Sequence, residues 1–75
     1  MPYIAIKAYP KDIETKKKVV DEINEIFVKY WGCSKEAISI SMEEVAPEDW
    51  TKMVEKKDIA NKLDKMMILS GEKKY

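Results

Sequence analysis

MPYIAIKAYPKD, residues 1–12, is the stretch that decides the fold. From Tyr3 to Tyr9 the side chains alternate. Ile4, Ile6 and Ala8 fall on one face, and Tyr3, Ala5, Lys7 and Tyr9 on the other. Such alternation predicts a half-buried strand. Pro10 ends it, because proline has no N–H to give to a ladder. Asp12 is a good helix N-cap, and IETKKKVVDEINEIFVKYW follows it.

The helix carries Val19, Val20, Ile23, Ile26, Phe27, Tyr30 and Trp31 at helical spacing, one wide apolar stripe. That spacing assigns Trp31 to the core, and Gly32 is the expected C′ residue. Residues 37–45, AISISMEEV, alternate again, with Ile38, Ile40 and Met42 opposed to Ser39, Ser41 and Glu43. A strand, a long helix and a second strand predict a right-handed crossover with parallel strands. Further on, Pro47 suits the first turn of a helix, with Glu48 and Asp49 facing its positive dipole end. Trp50, Met53 and Val54 form the apolar side. The register then slips, and Ile59, Leu63, Met66 and Met67 follow a new one after Asp58. This reads either as two short helices with a break near Lys56-Lys57 or as one kinked helix. Gly71 is expected to stop it and EKKY to trail loosely. The fold class is α+β: a β-α-β unit with parallel strands plus short C-terminal helices.

A chain of 75 residues makes one domain, 1–75. Chains this short bury roughly 60% of their unfolded surface, so a lone core is marginal. Cys33 is the only cysteine and histidine is absent, so neither a disulfide nor a structural zinc site is expected. Two strands also leave both sheet edges open. Pairing with a second copy across a two-fold axis remedies both defects, which predicts a homodimer with a four-stranded sheet. Fourteen lysines, without a single arginine, balance fourteen acids. That balance argues against a nucleic-acid partner. No apolar run approaches the ~18 residues of a membrane span, and no signal-peptide pattern is present. No membrane partner is expected, and the lone thiol fits a reducing, cytoplasmic compartment.

Without histidine there is no Ser-His or Cys-His dyad. Gly32 and Gly71 are the only glycines, so no phosphate-cradling loop exists, and no cofactor is expected. Glu43-Glu44 has the chemistry of an acid–base pair, but a solvated strand end is the stronger reading. Cys33 follows a helix C-terminus, where the dipole disfavours a thiolate, so it reads as a structural thiol. Trp50 is equally a core residue or a pocket wall. Pro2 has two readings. Proline is well tolerated at the head of a strand. If Met1 is removed, as is expected when a small residue follows it, Pro2 also bears a free secondary amine. An apolar pocket disfavours the protonated amine and brings its pKa towards neutrality, where a general base works best.

Taken together, MPYIAIKAYPKD, KKKVVDEINEIF and AISISMEEVAPEDW run in step with the tautomerase superfamily. The chain resembles its 4-oxalocrotonate tautomerase-like group, and within it the small dimeric tautomerases acting on phenylpyruvate-type enols. The resemblance implies a β-α-β fold paired into a dimer, with Pro2 as general base. It implies no cofactor, and a 2-oxo acid or its enol as the small-molecule substrate. Lys11 stands closest to an arginine that the group carries after its first strand. Ser39 stands where a second arginine lies, and Trp50 at the aromatic wall. Lys11, Ser39 and Trp50 are therefore the implied substrate-binding residues, with Ser41 and Glu43 as further lining. One lysine in place of two arginines favours a monocarboxylate with an apolar tail over a dicarboxylate. The hexameric members have a glycine-rich segment where this chain has TKMVEKKDIANKL, which again favours a dimer. The alternative is a tautomerase-fold dimer that binds small molecules or proteins without catalysis.

Overall fold

The computed structural model describes every residue from Met1 to Tyr75. The chain falls into two compact units, Met1–Val45 and Ala46–Tyr75.

In the first unit, strands β1 (Tyr3–Ala8) and β2 (Ser39–Glu44) flank helix α1 (Ile13–Ile26). The strands pair in parallel, in register from Tyr3 opposite Ser39 to Ala8 opposite Glu44. The ladder runs slightly past both ends. The Ser39 N–H donates to the Pro2 carbonyl at 3.2 Å, and the Val45 N–H donates to the Ala8 carbonyl at 2.8 Å. The alternation is as expected: Ile4, Ile6, Ile40 and Met42 are half-buried, while Tyr3, Ala5, Ser39 and Ser41 are exposed. On the exposed face the Tyr3 and Ser41 hydroxyls share a hydrogen bond of 3.1 Å. Val45 is the buried residue of this unit, 3% exposed.

Asp12 caps α1. Its backbone is extended (φ −63°, ψ 152°), and its Oδ2 accepts from the Thr15 N–H at 2.9 Å. The Thr15 hydroxyl donates to Oδ1 at 2.8 Å. These bonds satisfy a donor that the helix itself leaves open. Val20, Ile23 and Phe27 are half-buried, but Val19, Ile26 and Tyr30 of the expected stripe are exposed. The stripe does not continue to Trp31. The winding changes to π-helical over Phe27–Trp31, and Trp31 is 70% exposed, its ring tilted against Phe27 at 5.7 Å. A π turn advances each residue by less than an α turn does, so Trp31 lags out of phase with the stripe. Gly32 then takes the left-handed φ of 75° that ends the helix. A short 3₁₀ turn, Lys35–Ala37, precedes β2, which therefore starts later than its alternation implied.

The second unit opens with Pro47 at the head of a 3₁₀ turn, Pro47–Asp49. A π-helical segment, Thr51–Ile59, and a 3₁₀ segment, Ala60–Lys65, follow, with Val54 buried at 5% exposure. The break falls at Lys62 (φ −132°, ψ 25°) and not near Lys56-Lys57. The Asn61 side chain supplies a cause: its amide donates to the Lys57 carbonyl at 2.8 Å. A side chain bonded four residues back competes with the backbone ladder and bends it. Gly71 does not stop this helix, and the tail is not loose. Winding ends at Lys65, and β3 (Ile68–Leu69) and β4 (Glu72–Lys73) form an antiparallel hairpin. Its turn residues, Ser70 (φ 50°) and Gly71 (φ 82°), are both left-handed. Two left-handed residues are what a tight hairpin turn matched to strand twist requires. The Lys74 N–H donates to the Met67 carbonyl at 2.8 Å and closes the hairpin.

Candidate active site

Pro2 heads β1 and is half-buried. Its carbonyl is held by the Ser39 N–H, so Pro2 and the start of β2 are tied together. Ser39 is exposed and lies across from Tyr3 in the register, on the open face of the sheet. Ser41, next on that face, meets the Tyr3 hydroxyl. Pro2, Ser39 and Ser41 therefore cluster at one end of the strand pair.

Lys11 lies beyond the other end. At about 3.3 Å per residue, the six residues of β1 separate the two ends by roughly 20 Å. A pocket of about 310 Å³ opens there. Its apolar lining includes Ile6, Ala8, Val19 and Met42, with Lys11, Lys16, Thr15 and Glu44 as its polar members. The size falls at the lower end of the small-molecule range.

Glu44 organises this corner. Its Oε2 accepts from the backbone N–H of Lys11 at 3.0 Å and from the Lys16 ammonium at 2.9 Å. The Lys11 N–H bond, and then the Lys16 hydrogen bond, hold its carboxyl below its ordinary value of 4.5. Asp12 is likewise held below 3.8, first by the Thr15 N–H and then by the Thr15 hydroxyl. No local sequence signal marks the Glu44 contacts. A strand-end acid reads as solvated, and its partners lie 33 and 28 residues away. Trp50 is half-buried in the second unit. Cys33 is half-buried, with its thiol 3.7 Å from the Phe27 carbonyl. No group of three or more His, Cys, Asp or Glu side chains is arranged to hold a metal ion. No helix is long and apolar enough to cross a membrane.

A parallel β-α-β unit of this length, with an apolar pocket edged by lysines, defines a small α+β protein with a candidate small-molecule site. The chain belongs to the Tautomerase family: the family profile, described as tautomerase enzyme, matches residues 2–57. Among curated proteins it is similar to Tautomerase PptA of Cronobacter sakazakii, 32% identical over 66 residues, which cover 85% of this chain and 87% of that protein. Tautomerase PptA of Enterobacter sp. strain 638 is 29% identical over 73 residues, covering 95% of this chain and 96% of its own. The likeness extends through the second unit as well as the first.

Proposed function

We propose that the protein is a cofactor-independent keto–enol tautomerase of 2-oxo acids, with Pro2 as its general base. The carrying observation is Pro2 itself. It heads β1, tied to β2 through the Ser39 N–H, and it is the residue at which the family match begins. Removal of Met1 frees the Pro2 nitrogen as a secondary amine. That amine takes the proton from the enol hydroxyl. The electron pair of the C2–C3 double bond takes a proton at C3, and the oxygen on C2 becomes the ketone. The proton taken from oxygen is returned at carbon, so no oxidant or cofactor enters. Lys11 pairs with the substrate carboxylate, Ile6, Val19 and Met42 wall the apolar part of the pocket, and Ser39 offers its hydroxyl at the Pro2 end.

Pro2 and Lys11 stand at opposite ends of β1, so one chain does not bring them together. A two-fold axis beside β1 does. It sets a second copy antiparallel along the free edge, and the Pro2 end of one chain then meets the Lys11 end of the other. The small interior supports this assembly: Val45 and Val54 are the only buried apolar residues. The absence of arginine favours the second reading, a dimer that binds small molecules or proteins without turnover.

The test has two stages. Mass spectrometry of protein purified from cells should find Met1 absent; a retained Met1 leaves Pro2 an amide and sinks the base. Ketonisation of phenylenolpyruvate should then be about 10²–10⁴-fold slower in Pro2→Ala than in the native protein. Equal rates would leave the binding reading in its place. Light scattering at micromolar concentration should report a dimer, and a monomer would contradict the shared site.

A further inference from the structure

Glu44 closes β2 opposite Ala8, and its side chain reaches across to the segment that joins β1 to α1. The bond it makes there is to backbone. By accepting from the Lys11 N–H at 3.0 Å, the carboxylate fixes the chain at Lys11, not its mobile ammonium. Its negative charge is met at the same oxygen by Lys16 of α1, at 2.9 Å. Glu44 therefore holds the Lys11 backbone while its own charge is answered from elsewhere.

The neighbouring charges do not take over this task. Asp12, next to Lys11, is engaged by both the N–H and the hydroxyl of Thr15. Glu43 precedes Glu44 on β2, so it projects to the opposite face, in register with Lys7 of β1. Tyr9, past the end of β1, shares the pocket lining with Lys11, Lys16 and Glu44. Glu44 is thus the one acid among these groups that ties the β1–α1 segment to β2.

We propose that Glu44 is a positioning residue of the tautomerase site, pinning the backbone at Lys11 so that the Lys11 ammonium is presented at the pocket to the substrate carboxylate. The inference rests on the role given to Lys11 above. Its consequence is a dependence that follows the substrate's charge. A loosened Lys11 weakens the grip on a carboxylate and leaves the proton transfer at Pro2 untouched. An enol without a carboxylate is indifferent to it.

The experiment compares Glu44→Ala and Glu44→Gln with the native enzyme. The substrates are phenylenolpyruvate and an aryl enol that lacks the carboxylate. Glu44→Ala should raise KM for phenylenolpyruvate about tenfold with kcat little changed, and should leave the neutral enol unaffected. Glu44→Gln keeps an oxygen for the Lys11 N–H and should recover most of the loss. Equal losses on both substrates, an unchanged KM in Glu44→Ala, or a Glu44→Gln defect as large as that of Glu44→Ala would overturn the positioning role.

A second readout needs no turnover. The amide resonance of Lys11 should shift as acid protonates Glu44 and its hydrogen bond loses charge assistance, and Glu44→Gln should abolish that titration. An active enzyme whose Lys11 amide ignores Glu44 overturns the positioning role alone. A protein with the titrating amide but no ketonisation overturns the tautomerase reading, and the positioning role with it.

Discussion

Val45 is where the first unit is most sensitive to a single deletion. Its side chain is 3% exposed, and its N–H extends the β1–β2 ladder by bonding the Ala8 carbonyl at 2.8 Å. Val45→Ala keeps that backbone bond and removes two methyl groups. At about 0.8 kcal/mol each, the lost burial costs roughly 1.6 kcal/mol. If the space does not collapse, a void of about 50 Å³ at ~24 cal/mol per Å³ adds about 1.2 kcal/mol. The expected loss is therefore about 1.6–2.8 kcal/mol. A domain of this length holds on the order of 4–11 kcal/mol in total, so the variant should still fold. Its melting temperature should fall by on the order of 10 °C, since each kcal/mol moves a small domain by about 4–8 °C. Urea denaturation should show a lower midpoint with an unchanged slope. Both variants must be compared at one protein concentration, because an oligomer's midpoint depends on it. Lys18→Ala, on the exposed side of α1, is the control and should stay within about 0.5 kcal/mol. If Val45→Ala unfolds at the same midpoint as the control, Val45 is not a packed core residue and the burial reasoning fails.

Two further outcomes follow from local geometry. The Asp12 carboxyl is held below 3.8 by Thr15, so its contribution to stability is complete above that value and lost as pH falls through the lower, folded one. Asp12→Ala should accordingly destabilise α1 at neutral pH and flatten the acid limb of a pH–stability profile, and an unchanged acid limb refutes the cap as its source. Gly71 has φ 82°, and nothing lies within 4 Å of a Cβ added there, so Gly71→Ala should cost about 1 kcal/mol from backbone strain alone. Gly71→Asn should be milder, and an alanine variant as stable as the native chain would mean that the hairpin turn is not held in the left-handed region.

What the sequence made legible was local. The alternation around Ile4 and Ile6, the Asp12 cap, Gly32 and the opening role of Pro47 each depend on a few adjacent residues, and the parallel pairing followed from the length of the helix between the strands. The failures share a different cause. A constant α-helical angle places Trp31 in the core, and the π winding after Ile26 does not keep that angle. The kink moved to Lys62 because the Asn61 side chain takes up the Lys57 carbonyl, a competition that apolar periodicity does not register. Ser70-Gly71 is a hairpin turn whose strands have two residues each, too short for alternation to mark. Glu44 was the most consequential omission, since its meaning comes from two lysines brought near only by the parallel register.

On the proposed reading, the two ends of β1 divide the labour of the reaction. The Pro2 end offers an amine, a strand-end hydroxyl at Ser39 and no lysine of its own in the register pairs around it. The Lys11 end offers the apolar pocket and its cations, Lys11 and Lys16, the second of which is already matched by Glu44. That leaves one point charge for the substrate where two arginine forks would hold two carboxylates. A lysine sets the position of a carboxylate but not the plane in which it lies, so orientation must come from the apolar walls. An enol with one carboxylate and a flat aryl tail supplies both handles. A dicarboxylate supplies a second charge for which the pocket keeps no unmatched cation, since Lys16 is paired with Glu44. The chain should therefore prefer phenylenolpyruvate over a dicarboxylic enol, and Lys11→Arg should improve carboxylate binding without removing that preference, because Lys16 stays matched by Glu44.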